Sequence, residues 1–212
     1  SLQADAILSA ASVVSIADLK GKKVAYEEGT TSDLLLNYAL AQNGMTLADI
    51  EPVPMPASDA GLALVSGQVD AAVTYEPYIT EAVMGKEDFK VLYTAAERPG
   101  LISDVCVFNS AFLKEQPQAA VDMLKAWDEA VAFYRSNPDD AKAIIATAVG
   151  SKPEDLVTAF DGVEFFTTAE YQQKLTSEFP QTLDDVVAAA TQMGLLEKTP
   201  DLKVILDSGI TK

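Results

Sequence analysis

The chain has 212 residues, 49% of them hydrophobic and 22% charged, enough for one large domain or two modest ones around a sizeable core. Fifteen Lys and Arg against 32 Asp and Glu leave a formal net charge of −17, a field that repels nucleic acid and anionic lipid and sets both aside as partners. With no His and one Cys, a Ser-His-Asp triad, a His metal site and an internal disulfide are all excluded, and no cofactor or metal is expected.

In chain order, residues 6–8 predict a strand of the crossing kind, and 15–21 a short helical turn stopped by Gly21. A strand over 22–26 follows, after which Leu34, Leu35, Tyr38 and Ala41 recur at helical spacing until Asn43-Gly44 closes the pattern. Between strand and helix lies the turn Glu28-Gly29-Thr30-Thr31-Ser32-Asp33. Gly29 can take a positive φ, and Thr30 or Thr31 can cap the helix. A helix start carries about half a positive charge, so this turn can hold a sulfonate, phosphate or carboxylate without Lys or Arg. The same residues read equally as an ordinary capped helix.

A local Thr46-x-x-Asp49 cap precedes a proline-punctuated edge strand over 51–55. Ser58 and Asp59 start a helix over 60–65, ended by Ser66-Gly67, and 68–75 reads as a buried strand. It runs into Tyr75-Glu76-Pro77-Tyr78, where Pro77 suits the first position of a helix to Met84. Strands over 89–93 and 105–109 follow, Cys106 being expected as a packed core residue of the latter. The alternation gives an α/β fold: a mainly parallel sheet flanked by helices.

From Ser110 helical patterns dominate. They cover 117–135, 141–149, a third helix opened by a Ser151-x-x-Glu154 capping box and running to Phe160, then 168–179 and 182–193. The predicted boundary is near Asn109, with an α/β lobe over 4–108 and a helical region over 109–212.

Three stretches in order, GTTSDLLLNYALAQNGM (29–45), ALVSGQVDAAVTYEPY (63–78) and SDVCVFNSAFLKEQP (103–117), resemble the extracytoplasmic solute-binding proteins of ABC importers of the nitrate, sulfonate, taurine and thiamine-precursor type. The resemblance implies a two-lobed fold with a small polar solute in the interlobe cleft, a non-enzymatic role, a periplasmic location and the importer's membrane component as partner. It also implies that this chain is the second lobe with the C-terminal helices, the segment that builds most of the first lobe having no counterpart here. A ligand-sensing receptor ectodomain of the same fold is the competing reading.

Carried over residue by residue, the resemblance places Glu28, Gly29, Thr30, Thr31 and Ser32 on a first ligand-facing turn, Tyr75 and Glu76 on a second, and Asp104 on a third. Turns at the carboxyl ends of parallel strands are where open α/β sheets bind ligands. Tyr75 reads alternatively as a packed ring, and Glu76 as a helix cap. Glu28 and Glu76 oppose a small dianion and suit an amine-bearing ligand such as an amino-sulfonate or aminopyrimidine. With a first lobe absent, open apolar stripes at Leu156 and Phe160, Leu175 and Phe179, and Val186, Val187 and Ala190 would favour a homodimer.

Overall fold

The computed structural model describes residues 1–83 and 88–202. Among them, β1 (Asp5–Ala10), β2 (Lys23–Tyr26), β3 (Glu51–Pro54), β4 (Ala71–Tyr75) and β5 (Phe89–Thr94) form one sheet in the order β3-β2-β4-β1-β5. β2 is parallel to β3 and β4, and β1 is antiparallel to both β4 and β5. Four strands therefore run one way and β1 runs back between two of them, as expected for a mainly parallel sheet with one crossing strand. Pro52 and Pro54 lie on β3 at the sheet edge, where a residue without an N–H costs the ladder least.

Alternation along the strands sorts side chains into two cores. Ile7, Val24, Tyr26, Ala71 and Val73 face one layer with Leu35, Leu36 and Leu40 of α1 (Thr31–Gln42). Ala6, Leu8, Ala25 and Ala72 face the other, with Ala60 and Leu64 of α2 (Ala57–Val65) and Ile79 of α3 (Tyr78–Val83). Each buried Leu or Ile contributes about 1.5–3 kcal/mol, so these layers hold the sheet's edges in register. α3 begins one residue later than expected, and Met84 lies outside the described residues.

The helical region comprises α4 (Ser110–Glu115), α5 (Pro117–Ser136), α6 (Pro138–Ala148), α7 (Val157–Asp161), α8 (Thr168–Thr176) and α9 (Phe179–Gln192). α9 returns to the lobe, where Val186 packs on the first core and the Arg98 guanidinium meets the Asp185 carboxylate at 2.6 and 2.7 Å. On α5, the Trp127 indole donates to the Phe166 carbonyl at 2.8 Å, and Asp128 accepts from the Thr168 amide at 2.7 Å, which anchors the start of α8. Arg135 and two Thr167 groups hold the Glu170 carboxyl down at about 2.

Four expectations are corrected. Residues 105–109 form no strand, since no described strand lies beside them to complete a ladder, and Val107 stays 82% exposed. Cys106 is exposed, not packed. The Ser151 box does not form, because Pro153 keeps Lys152 extended (φ −110, ψ 152) and the turn starts at the proline. The apolar stripes expected to lie open are buried or half-buried, with Phe160 buried and Val186 against the core.

Leu36→Ala, at a site with no solvent exposure, should lower stability in urea titration by about 2–5 kcal/mol. Leu62→Ala, at a residue 71% exposed on α2, should change it by under about 0.5 kcal/mol.

Candidate functional site

β2 and β4 are adjacent and parallel, with Val24 opposite Ala71 and Ala25 opposite Ala72, so the turns that follow them leave the sheet at one edge. The turn after β2 is a hydrogen-bonded circuit. Gly29 sits at φ +75, and its amide donates to Asp33 Oδ2 at 2.9 Å. Thr30 is the cap: its hydroxyl accepts from the Ser32 amide at 3.3 Å and donates to the Glu27 carbonyl at 2.9 Å. Ser32 is buried, its hydroxyl accepting from the Glu27 amide at 3.1 Å and donating to the Val73 carbonyl at 3.4 Å. That last bond ties the turn to β4 two residues before Tyr75, about 7 Å along the strand.

The eight predicted residues are thereby sorted. Glu28, Gly29, Thr30 and Thr31 are exposed, but the Thr30 hydroxyl is committed to the cap and Ser32 to the sheet. Thr31 keeps a hydroxyl with no hydrogen-bond partner among the described residues, at the open start of α1. Tyr75 is 41% exposed, and its ring meets Tyr78 edge-on with centroids 5.3 Å apart. Desolvation, then the neighbouring Tyr78, Glu27 and Asp5, push its phenol up. Glu76 takes the helix-cap role: its two oxygens accept from the Thr80 amide at 3.1 Å and the Thr80 hydroxyl at 3.0 Å. Asp104 is exposed, and its charge reaches Asp5.

Sequence reasoning missed two carboxylates here. Asp5 stands in register with Tyr75 on β1, half-buried, and burial raises its carboxyl above the ordinary aspartate value. Its signal, a lone Asp before an apolar strand, is indistinguishable from a solvated residue until β1 and β4 pair. Glu27 reaches across to accept from the Ala57 amide at 3.0 Å, capping α2, which has Pro56 and no side-chain cap of its own. The opposite edge of the sheet carries Lys23 at the start of β2 and Lys90 near the start of β5. The candidate edge thus offers amides, a hydroxyl, an aromatic ring and carboxylates. It is an open ledge: two depressions among the described residues, about 250 Å³ beside Glu164 and Glu170 and about 100 Å³ between α1 and α9, lie elsewhere.

Asp33→Ala leaves the Gly29 amide without its acceptor and the buried Asn37 side chain with only the Asp33 backbone carbonyl, and should cost about 1–3 kcal/mol in urea titration, with faster amide exchange at Gly29. Asp5 generates a pH prediction. A carboxyl raised by burial makes the folded state lose stability as pH climbs from 3.8 through the folded value. Asp5→Asn should therefore raise the thermal midpoint at pH 7, and the gain should vanish below pH 3.8.

Comparison with known proteins places the chain in a lineage. Over 180 residues the chain is 32% identical to a Brucella abortus protein that carries the name of a binding protein, covering 82% of this chain and 52% of that one. Over 144 residues it is 31% identical to an Escherichia coli protein named for binding aliphatic sulfonates, covering 65% of this chain and 43% of the relative. The crystal structure of the periplasmic aliphatic sulphonate binding protein SsuA from Escherichia coli superposes with a TM-score of 0.72 at 25% identity, over 96% of this chain and 65% of SsuA. The chain spans about half the length of the curated relatives it matches. The sequence pattern described as NMT1/THI5 like runs over residues 1–141, and with it the chain belongs to the NMT1/THI5-like family.

Proposed function

We propose that this chain forms one wall of the solute cleft in an extracytoplasmic, periplasmic binding protein that delivers a small sulfonate to an ABC importer. The observation that carries the reading is the juxtaposition of the open start of α1, with the free Thr31 hydroxyl, and the exposed Tyr75 ring on one sheet edge. A sulfonate is a strong acceptor of hydrogen bonds from helix-start amides and needs no lysine there. Asp5, Glu28 and Asp104 around the same edge favour a solute whose far end is an ammonium group, so an amino-sulfonate fits better than nitrate. In this reading residues 4–108 are the solute-binding lobe, and the helices from 109 onward brace it.

Catalysis has no support in the residues. The chain has no His, and its one Cys lies in the exposed stretch 105–109. The names of the Brucella abortus and Escherichia coli relatives speak of binding, and no helix among the described residues is long and apolar enough to cross a membrane. The partners in this reading are the solute and the importer's membrane component.

Calorimetry on the full-length protein with taurine, ethanesulfonate, nitrate and an aminopyrimidine tests it. Taurine should bind tightest and ethanesulfonate next, with Thr31→Ala weakening taurine by about tenfold, the scale of one hydrogen bond to a charged group. The 1–212 chain alone should bind far more weakly, since a ledge leaves much of the solute in water. Preferential binding of nitrate or the aminopyrimidine would overturn the sulfonate assignment.

A further inference from the structure

α7 and the residue that ends it reach the candidate site by two separate routes that converge on Glu76, the residue after Tyr75. The first is a chain of side chains. The Thr80 hydroxyl spends its only proton on Glu76 Oε1 at 3.0 Å, and an ionised carboxylate can only accept. The 2.8 Å contact between the Thr80 and Thr158 hydroxyls must therefore have Thr158 of α7 as donor. With the Thr80 amide on Oε2 at 3.1 Å, both carboxylate oxygens are held and the direction of every proton in the chain is set.

The second route is backbone. The Gly162 carbonyl, one residue past α7, accepts from the Leu2 amide at 2.8 Å and the Gln3 amide at 3.3 Å. The next carbonyl, that of Ala4, accepts from the Glu76 amide at 2.9 Å. Gly162 comes so close to this strand entry that a Cβ there would lie 2.7 Å from the Ala4 nitrogen and 2.9 Å from its Cβ, a distance real side chains do not adopt. One short helix thus reaches the neighbours of Tyr75 on both flanks, through Ala4 just before Asp5, the register partner of Tyr75, and through Thr80 and Glu76 behind it.

We propose that α7 with Gly162 is a clasp that sets the position of Tyr75 against the solute, and that Thr158 is its positioning residue. The proposal rests on the reading that Tyr75 faces the solute. It also gives the helical region a part in binding although Thr158 itself touches no solute. Glu76, on this account, is withheld from the solute and serves as the clasp's anchor.

The test uses the full-length protein with Tyr75→Ala, Thr158→Val and Thr158→Ser, taurine as probe, thermal midpoints, and amide exchange over residues 76–82. Tyr75→Ala should weaken taurine binding by about tenfold. Thr158→Val should weaken it by about fivefold, the effect of one neutral hydrogen bond, with the thermal midpoint unmoved and faster exchange at the Thr80 amide. Thr158→Ser keeps the donor and should restore both readouts. Normal taurine binding by Thr158→Val beside a weakened Tyr75→Ala would overturn the clasp while leaving the site intact. So would a loss that merely follows a fall in thermal midpoint. Wild-type binding by Tyr75→Ala would remove the site reading itself, and the clasp with it. Unchanged exchange at Thr80 in Thr158→Val overturns the proposal whether or not taurine binds.

Discussion

Parallel pairing of β2 with β4 is the constraint from which the proposed site follows. Two adjacent strands that run the same way must release their following turns at the same edge, so the start of α1 and the Tyr75 turn become neighbours although 44 residues separate Thr31 from Tyr75. Ser32 makes this arrangement rigid: one buried hydroxyl joins the exit of β2 to the Val73 carbonyl of β4. β1 then closes the group from the far side, setting Asp5 opposite Tyr75 by antiparallel register. No single element builds the edge; the sheet order does.

The electrostatics of that edge are local. A chain with a net charge of −17 would repel an anion from a distance, and the nearest strand-end lysines, Lys23 and Lys90, stand at the other end of the sheet. An anionic head is therefore left to the partial charges of the α1 amides, which act over one turn of helix, while the surrounding carboxylates act on whatever lies beyond it. In the proposed reading, that division of labour favours a solute with charges of both signs separated by a short spacer. It also explains why Thr30 and Asp33 are spent on holding the turn: a dipole site depends on amides that stay aimed.

Among the described residues, α9 and α7 meet the sheet region with different chemistry. α9 is held by apolar packing at Val186 and by the Arg98–Asp185 pair, which at partial burial and 2.6 Å is a better-placed ion pair than the exposed ones elsewhere on the surface. α7 is held by hydrogen bonds and by the absence of a side chain at Gly162. The first contact is bulk adhesion, indifferent to the site's geometry. The second is directional, and it ends on the residue next to Tyr75.

The sequence by itself determined the α/β layering, the strand and helix succession through residue 94, the Gly29 turn with a cap at Thr30 or Thr31 and the Thr46–Asp49 box, because each rests on spacing or on partners within four residues. Only the tertiary structure decided what those groups are used for. Ser32 and Glu76 carry the right residue types for ligand contact, and in the fold the Ser32 hydroxyl donates to the Val73 carbonyl while the Glu76 oxygens accept from Thr80. Asp5, Glu27 and Thr158 gain their roles from partners 70, 30 and 78 residues away, at distances no local pattern encodes. Residues 105–109 fail in the opposite direction: Val105, Cys106 and Val107 have strand propensity, but a strand exists only where a neighbour's N–H and C=O groups complete its ladder. Periodicity and caps are properties of the chain. Register and the satisfaction of side-chain polar groups belong to the packed sheet.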